Sequence, residues 1–190
     1  AEAEEPAEIE AAEEAEPSKE PVTDGAGLTW QLTTSDGRVI DQDTYRDKLV
    51  VLIFYDPSVI RGIVISPKSV AAVESISAES WEEDVQIILV DQYAYMQGLN
   101  TDFIRDHDRS GGAMVYAGTM DHDSYGLLST LLGGGQAGTT LSYSMPVGAV
   151  LLGGQSQKVV DGLQGAEQLR EVLADLGIAR EDIRDSQAPS

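Results

Sequence analysis

An uninterrupted apolar run near the middle of the chain predicts a buried strand. The run extends from Leu49 to Tyr55 and is rich in β-branched and aromatic residues, a composition typical of a strand covered on both faces of a sheet. After a loop at residues 56–58, apolar residues recur at helical spacing from Val70 towards Trp81. A second apolar run follows at residues 85–90. Strand, helix and strand together predict a βαβ unit.

The junction between this strand and this helix contains Ser66-Pro67. The pair predicts either an N-cap followed by a first-turn proline, or a kink in a helix that has already begun. Residues 59–65 are mostly β-branched and start a helix poorly. On that ground the first turns of the helix are predicted to be remodelled, with Ser66-Pro67 as the start.

Patterning on either side of this unit predicts the remaining elements. Leu28, Trp30 and Leu32 alternate with polar residues before a turn at residues 35–38, which predicts a β-hairpin. Downstream, the pattern predicts a short helix at residues 101–107, a strand at 113–117, a helix at 125–132, strands at 147–152 and 158–160, and a last helix with the apolar stripe Ala166, Leu169, Val172, Leu173 and Leu176.

Several of these residues resemble the thioredoxin-like superfamily, in particular the extracytoplasmic thiol–disulfide oxidoreductases of the TlpA/ResA type (redoxin domains). The residues that carry the resemblance are the strand Val50-Val51-Leu52-Ile53-Phe54-Tyr55, the helix proline Pro67, and Pro146 just before a later apolar run. The resemblance implies an α/β, three-layer thioredoxin-like fold, with a central mixed β-sheet flanked by helices and an N-terminal β-hairpin. It also implies that the Met145–Pro146 peptide is cis.

The same comparison indicates that the thiol chemistry of the family is absent from this chain. The family's two cysteines are expected at the positions of Val59 and Gly62, and the whole chain contains no cysteine. Neither side chain can form a thiolate or resolve a mixed disulfide. Thiol redox activity is therefore excluded, and no cofactor is expected.

Charge gives the domain organisation and limits the partners. The formal net charge is −21, which argues against nucleic acid or an anionic membrane surface as a partner. Residues 1–26 are rich in Ala, Glu and Pro and are predicted to be an acidic disordered linker or tether. The predicted thioredoxin-like domain covers residues 27–178, and residues 179–190 form a tail. No signal peptide or membrane-spanning run is found, which is what a secreted protein numbered from its mature end would show. We expect an extracytoplasmic (periplasmic, cell-surface or secreted) domain tethered through its N-terminus, as in the family it resembles. A cytoplasmic protein is the alternative, because the lack of cysteine does not report on the redox compartment.

The function that follows is a non-catalytic interaction or structural domain, expected to be a subunit of a larger assembly that binds a protein partner. The binding surface would be the face of the fold that carries the two redox cysteines in the family that the chain resembles. Its predicted residues are Val59, Ile60, Arg61 and Ile63, beside Met145 and Pro146. The alternative for these residues is that they fold inward and fill the volume of the lost site.

Two other function classes remain open. Asp106-His107-Asp108 and Asp121-His122-Asp123 repeat one another and contain both histidines of the chain. Imidazole and carboxylate ligate divalent metals, so His107, Asp108, His122 and Asp123 form a candidate metal site, weighed against two ordinary loop turns. The other class is an enzyme with an unrecognised site. The glycine-rich residues 133–138 lack the features of a phosphate loop and are interpreted as a surface loop or a ligand loop.

Overall fold

The computed structural model describes residues 28–119, 123–133 and 142–178, which contain nine strands and five helices. The strands are β1 (Gln31–Thr34), β2 (Val39–Asp41), β3 (Leu49–Tyr55), β4 (Val59–Ile60), β5 (Ile63–Val64), β6 (Val85–Asp91), β7 (Val115–Gly118), β8 (Val147–Leu152) and β9 (Gln155–Val160). The helices are α1 (Pro67–Ser77), α2 (Ala94–Gln97), α3 (Thr101–His107), α4 (Asp123–Leu131) and α5 (Ala166–Leu176).

Seven strands form one mixed sheet in the order β2-β1-β7-β6-β3-β8-β9. Strands β3, β6 and β7 are parallel, and β8 pairs antiparallel with β3. β1 and β2 form the predicted N-terminal hairpin, which joins the sheet through β7. β3 lies inside the sheet, between β6 and β8. Every one of its residues is buried, as its continuous apolar sequence predicts for a strand covered on both faces.

The alternation of side chains along β3 divides the core into two clusters, one on each face of the sheet. One face packs on α1, α3 and α5, and its centre is Val51, Ile53 and Tyr55. The other face packs on α4 and includes Leu52 and Phe54. Helices therefore cover both faces, which confirms the predicted three-layer α/β fold. The small strands β4 and β5 form a separate sheet of two strands.

Most predicted elements agree with the structure to within about two residues, which is the usual uncertainty of such boundaries. The strand predicted at 113–117 is β7, and the strand predicted at 158–160 begins earlier, as β9. The helix predicted at 101–107 is α3, with the same bounds. The prediction that Ser66-Pro67 starts the helix is confirmed, because α1 begins at Pro67. The hairpin of β4 and β5 at residues 59–64 was not predicted.

Several predictions fall outside the described residues. They concern the acidic linker at 1–26, His122, most of the glycine-rich loop at 133–138 and the tail at 179–190. The predicted domain boundaries therefore stay predictions. Across the described ranges, no helix is both long enough and apolar enough to cross a membrane.

Candidate functional site

A short β-hairpin stands where the resemblance placed the redox cysteines. Val59 pairs with Val64 and Ile60 pairs with Ile63, and Arg61 and Gly62 form the turn between them. Both turn residues have positive φ, 52° for Arg61 and 77° for Gly62. Positive φ at both central residues defines the type I′ turn, whose twist matches that of the flanking strands.

The aliphatic side chains of this hairpin are exposed to solvent. The exposed fraction is 59% for Ile60 and 68% for Ile63. Val59 and Ile65 are also about half exposed, whereas among all other described residues only Val39 and Met96 are large apolar side chains with comparable exposure. We call the exposed side chains of Val59, Ile60, Ile63 and Ile65 the hairpin patch. The alternative in which these residues fill the volume of a lost site is therefore wrong.

The helix that follows the hairpin starts at Pro67. Ser66 is its N-cap, and the Ser66 Oγ accepts a hydrogen bond from the backbone N–H of Ser69 at 3.3 Å. Pro67 fits the first helical position because its missing N–H has no partner there in any helix. This confirms the N-cap interpretation over the kink. Val59 and Gly62 consequently lie in a hairpin, so the helix dipole that activates the first cysteine in such proteins does not begin beside Val59.

Hydrogen bonds tie the base of the hairpin to the ends of β3 and β6. The Asp56 carboxylate accepts the backbone N–H of Ser58 at 2.8 Å. The Asn100 side chain donates to the Pro57 carbonyl at 3.3 Å. Asn100 in turn donates its backbone N–H to the Asp91 carboxylate at 3.2 Å. The hairpin therefore projects from a fixed base.

Asp91, at the end of β6, is completely buried. Burial raises the pKa of its carboxyl group, and the nearby Asp56 carboxylate raises it further. Its oxygens accept backbone N–H bonds from Tyr93 and Asn100, which opposes that rise. Because both oxygens hold the backbone that follows β6, Asp91 serves to cap this loop.

Tyr55, at the end of β3, is equally buried and stacks on Phe103 with ring centroids 5.1 Å apart. Its hydroxyl has no hydrogen-bond partner. Burial raises the pKa of this phenol well above its ordinary value of 10.0, and the Asp91 carboxylate adds to the effect. The phenol therefore stays protonated and acts as a core aromatic.

The predicted second part of the binding face contributes little surface. The Met145–Pro146 peptide is cis, as predicted. Pro146 is buried, however, and Met145 is half-buried against the core cluster on the α4 face. Val147 pairs with Phe54, so this loop lies at the same end of the sheet as the hairpin. The expectation that Met145 and Pro146 stand exposed beside the hairpin is wrong for Pro146, because it leads directly into the buried strand β8.

The candidate metal ligands that the structure describes already have other partners. His107 Nδ1 lies 3.0 Å from a Glu74 carboxylate oxygen, and Arg109 forms an ion pair with the same oxygen. The Asp108 carboxylate accepts hydrogen bonds from Ser110 and Tyr116 and holds the loop between α3 and β7. His122 lies outside the described residues, as does the side chain of Asp123.

Within the described ranges there is no group of three or more His, Cys, Asp or Glu side chains that could hold a metal ion. The pairing of the two Asp-His-Asp triplets stays a prediction that no contact among the described residues tests.

Sequence reasoning missed the hairpin itself, although its signal was present. Residues 59–64 read Val-Ile-Arg-Gly-Ile-Val, in which two β-branched pairs flank a turn that ends in glycine. This is a hairpin pattern. Arg in place of the usual Asn or Asp weakens the signal, and the family resemblance predicts a loop and helix start at the same residues.

Solved structures with this fold are thioredoxin-like. BsSco, a member of the Sco family of cytochrome c oxidase assembly proteins, has a TM-score of 0.59 at 10% identity and covers 80% of this chain and 92% of its own. A putative thiol:disulfide interchange protein DsbE from Chlorobium tepidum has a TM-score of 0.54 at 12% identity, covering 81% of this chain and 96% of that one. StoA from Bacillus subtilis has a TM-score of 0.51 at 18% identity, with coverages of 77% and 96%.

A scan against protein-family models and a search of curated proteins found no match. The structural similarity shows the thioredoxin-like fold, and the sequence shows that this version of the fold has no cysteine.

Proposed function

We propose that this cysteine-less thioredoxin-like domain is a non-catalytic protein-binding domain whose contact surface is the hairpin patch. The observation that carries the proposal is the exposure of four large aliphatic side chains on one small, fixed element. Ile60, Ile63 and Ile65 lie on the same face of that element. Contiguous exposed apolar surface on a folded domain commonly marks an interaction site.

The architecture supports binding by a rigid element. The hairpin is closed by a tight turn and its base is tied to Asp56 and Asn100. A preformed surface loses little conformational entropy on association, which favours affinity. Ile60 and Ile63, the most exposed of the aliphatic side chains, are the residues expected to contribute most to binding.

The setting we propose is outside the cytoplasm, in a larger assembly in which the domain is a structural or recruiting subunit. This part of the proposal rests on the resemblance to extracytoplasmic oxidoreductases and on a scaffold that has their fold but contains no cysteine.

The test is the double variant Ile60→Thr plus Ile63→Thr. Threonine keeps the β-branched shape that suits a strand and removes the aliphatic surface. Aspartate is avoided because two like charges directly opposite each other would destabilise the hairpin itself. The matched control is Val39→Thr, which changes an equally exposed β-branched side chain, 59% exposed, on the edge strand β2.

Both variants should unfold within about 1 kcal/mol of the wild type, because exposed substitutions rarely cost more than about 0.5 kcal/mol each. Proteins retained by the immobilised full chain, quantified by mass spectrometry, should be lost with the double variant and kept with Val39→Thr. Unchanged retention by the double variant would exclude the patch as the interface. A large fall in its melting temperature would show that these side chains are core.

A further inference from the structure

The strand register of the hairpin leaves backbone groups facing outward. The backbone N–H of Ile65 donates to the Ser58 carbonyl at 3.0 Å, and Ile60 lies opposite Ile63 next to the turn. Hydrogen-bonded and non-hydrogen-bonded pairs alternate in an antiparallel ladder. The intervening pair, Val59 and Val64, is therefore the non-hydrogen-bonded one, and its N–H and C=O groups point to the two outer edges of the hairpin.

The side chains of the hairpin are sorted onto two faces. Ile63 and Ile65 point to the same side because they are two residues apart in an extended segment, and Ile60 joins them from the opposite strand. All three are exposed. An extended chain laid along an edge of the hairpin would therefore find backbone partners at the edge and an aliphatic surface beside it.

The charge along this segment of the sequence differs from that of the whole chain. The only charged residues between Asp56 and Glu74 are Arg61 and Lys68, both basic, although the chain carries a net charge of −21. Arg61 occupies the tip of the turn and is exposed. A guanidinium group there matches a carboxylate on a partner, since its planar fork binds carboxylate oxygens in pairs.

The same charges argue against two other occupants. A second copy of the chain would bring two strongly acidic bodies together and place like charges near each other at the hairpin tips. An anionic lipid surface would repel the net negative charge of the chain. A short segment of another protein avoids both penalties, because it contacts only the hairpin, whose one charged residue is the basic Arg61.

We infer that the partner contributes an extended segment that pairs as an added strand along the hairpin edge, with aliphatic side chains at alternate positions and a carboxylate that binds Arg61. This inference rests on the proposed function and names the chemistry of the partner. In strand addition, backbone hydrogen bonds supply affinity and alternate side chains supply specificity.

The probe is a displayed library of random twelve-residue peptides, selected on the full chain, with the best binders resynthesised and measured by fluorescence anisotropy. Enriched peptides should carry aliphatic residues two positions apart and at least one Asp or Glu. Arg61→Glu should weaken their binding by at least about tenfold. Peptides in which that acid is replaced by Lys should regain affinity for Arg61→Glu. The control Lys158→Glu makes the same charge change at an exposed position of β9 and should leave binding unchanged.

The outcomes separate the inference from the proposed function. If the enriched peptides are lost with the Ile60→Thr plus Ile63→Thr variant but are not acidic, or do not respond to Arg61→Glu, this inference is wrong and the proposed function stands. If they bind that double variant unchanged, both are wrong. The added-strand inference is also wrong if no peptide is enriched and the hairpin mediates another contact. Hairpin-dependent dimers in sedimentation would identify a second copy of the chain as the occupant, and hairpin-dependent binding to anionic vesicles would identify a lipid surface.

Discussion

The substitution Gly62→Ala distinguishes a hairpin from a helix at the position of the missing cysteines. Gly62 has a φ of 77°, and a Cβ added there would meet no atom within 4 Å. The whole cost of the change is therefore in the backbone. For an L-residue that carries a Cβ, the left-handed conformation costs about 1–2 kcal/mol, a cost that glycine does not bear. If residues 59–65 instead began a helix, as in thioredoxin-like enzymes, the same change would stabilise the protein by about 0.5–1 kcal/mol.

The cost should appear as local opening of the hairpin, which is a small element that can open without the core. The reporter is the Ile65 amide, whose hydrogen bond to Ser58 closes the hairpin base. A loss of about 1–2 kcal/mol in the local stability of the hairpin raises the population in which the hairpin is open. Hydrogen exchange of the Ile65 amide should therefore accelerate by roughly 5- to 30-fold. Arg61→Asn should slow the exchange of the Ile65 amide, because Asn-Gly is the preferred type I′ pair and stabilises the turn.

The matched control is Gly126→Ala in α4, where the added Cβ also meets no atom within 4 Å and no positive φ is required. That change should stabilise the protein by about 1 kcal/mol through helix propensity. Slower exchange of the Ile65 amide in Gly62→Ala would refute the hairpin.

Three further predictions concern the surroundings of the hairpin. Ser66→Ala removes the N-cap of α1 and should lower the free energy of unfolding in urea by about 1 kcal/mol; no change would mean that the cap contributes nothing. The hydrogen bond from His107 lowers the pKa of Glu74 below 4.5, so the ionised Glu74 contributes stability that is present above that value and lost as the pH falls through its folded pKa. The stability difference between the wild type and Glu74→Gln should accordingly shrink in acid, and a difference independent of pH would contradict this. Val59→Cys plus Val64→Cys should oxidise to a disulfide, because the two residues are paired at a Cα separation of about 4.5 Å. Val59→Cys plus Gly62→Cys should retain two free thiols by mass spectrometry, and the reverse pattern would show a different register.

The sequence predicted the parts of the fold whose burial is complete. β3 and the apolar part of β6 are continuous apolar runs because helices cover both faces of the sheet there, and this pattern has few other interpretations. The helix α2 was not predicted, because it has only four residues and begins just after a backbone turn held by the Asp91 carboxylate.

The candidate site was less predictable. Exposure of Ile60 and Ile63 depends on whether the segment folds inward, and composition cannot distinguish the two outcomes. Pro146 was expected on the surface from the resemblance. It is buried instead, with its carbonyl accepting the Leu163 amide at 2.8 Å. Long-range contacts of this kind leave no local signature in the sequence.

The central claim is that the hairpin patch contacts a protein partner. A photo-crosslinking amino acid placed at position 63 of the full chain, in the cells that produce it, tests the claim most directly, with position 39 on β2 as the equally exposed control. The account predicts one dominant crosslinked protein from position 63, competed away by the selected acidic peptide, and no such product from position 39. Equal products from both positions, or products from position 39 alone, would contradict it.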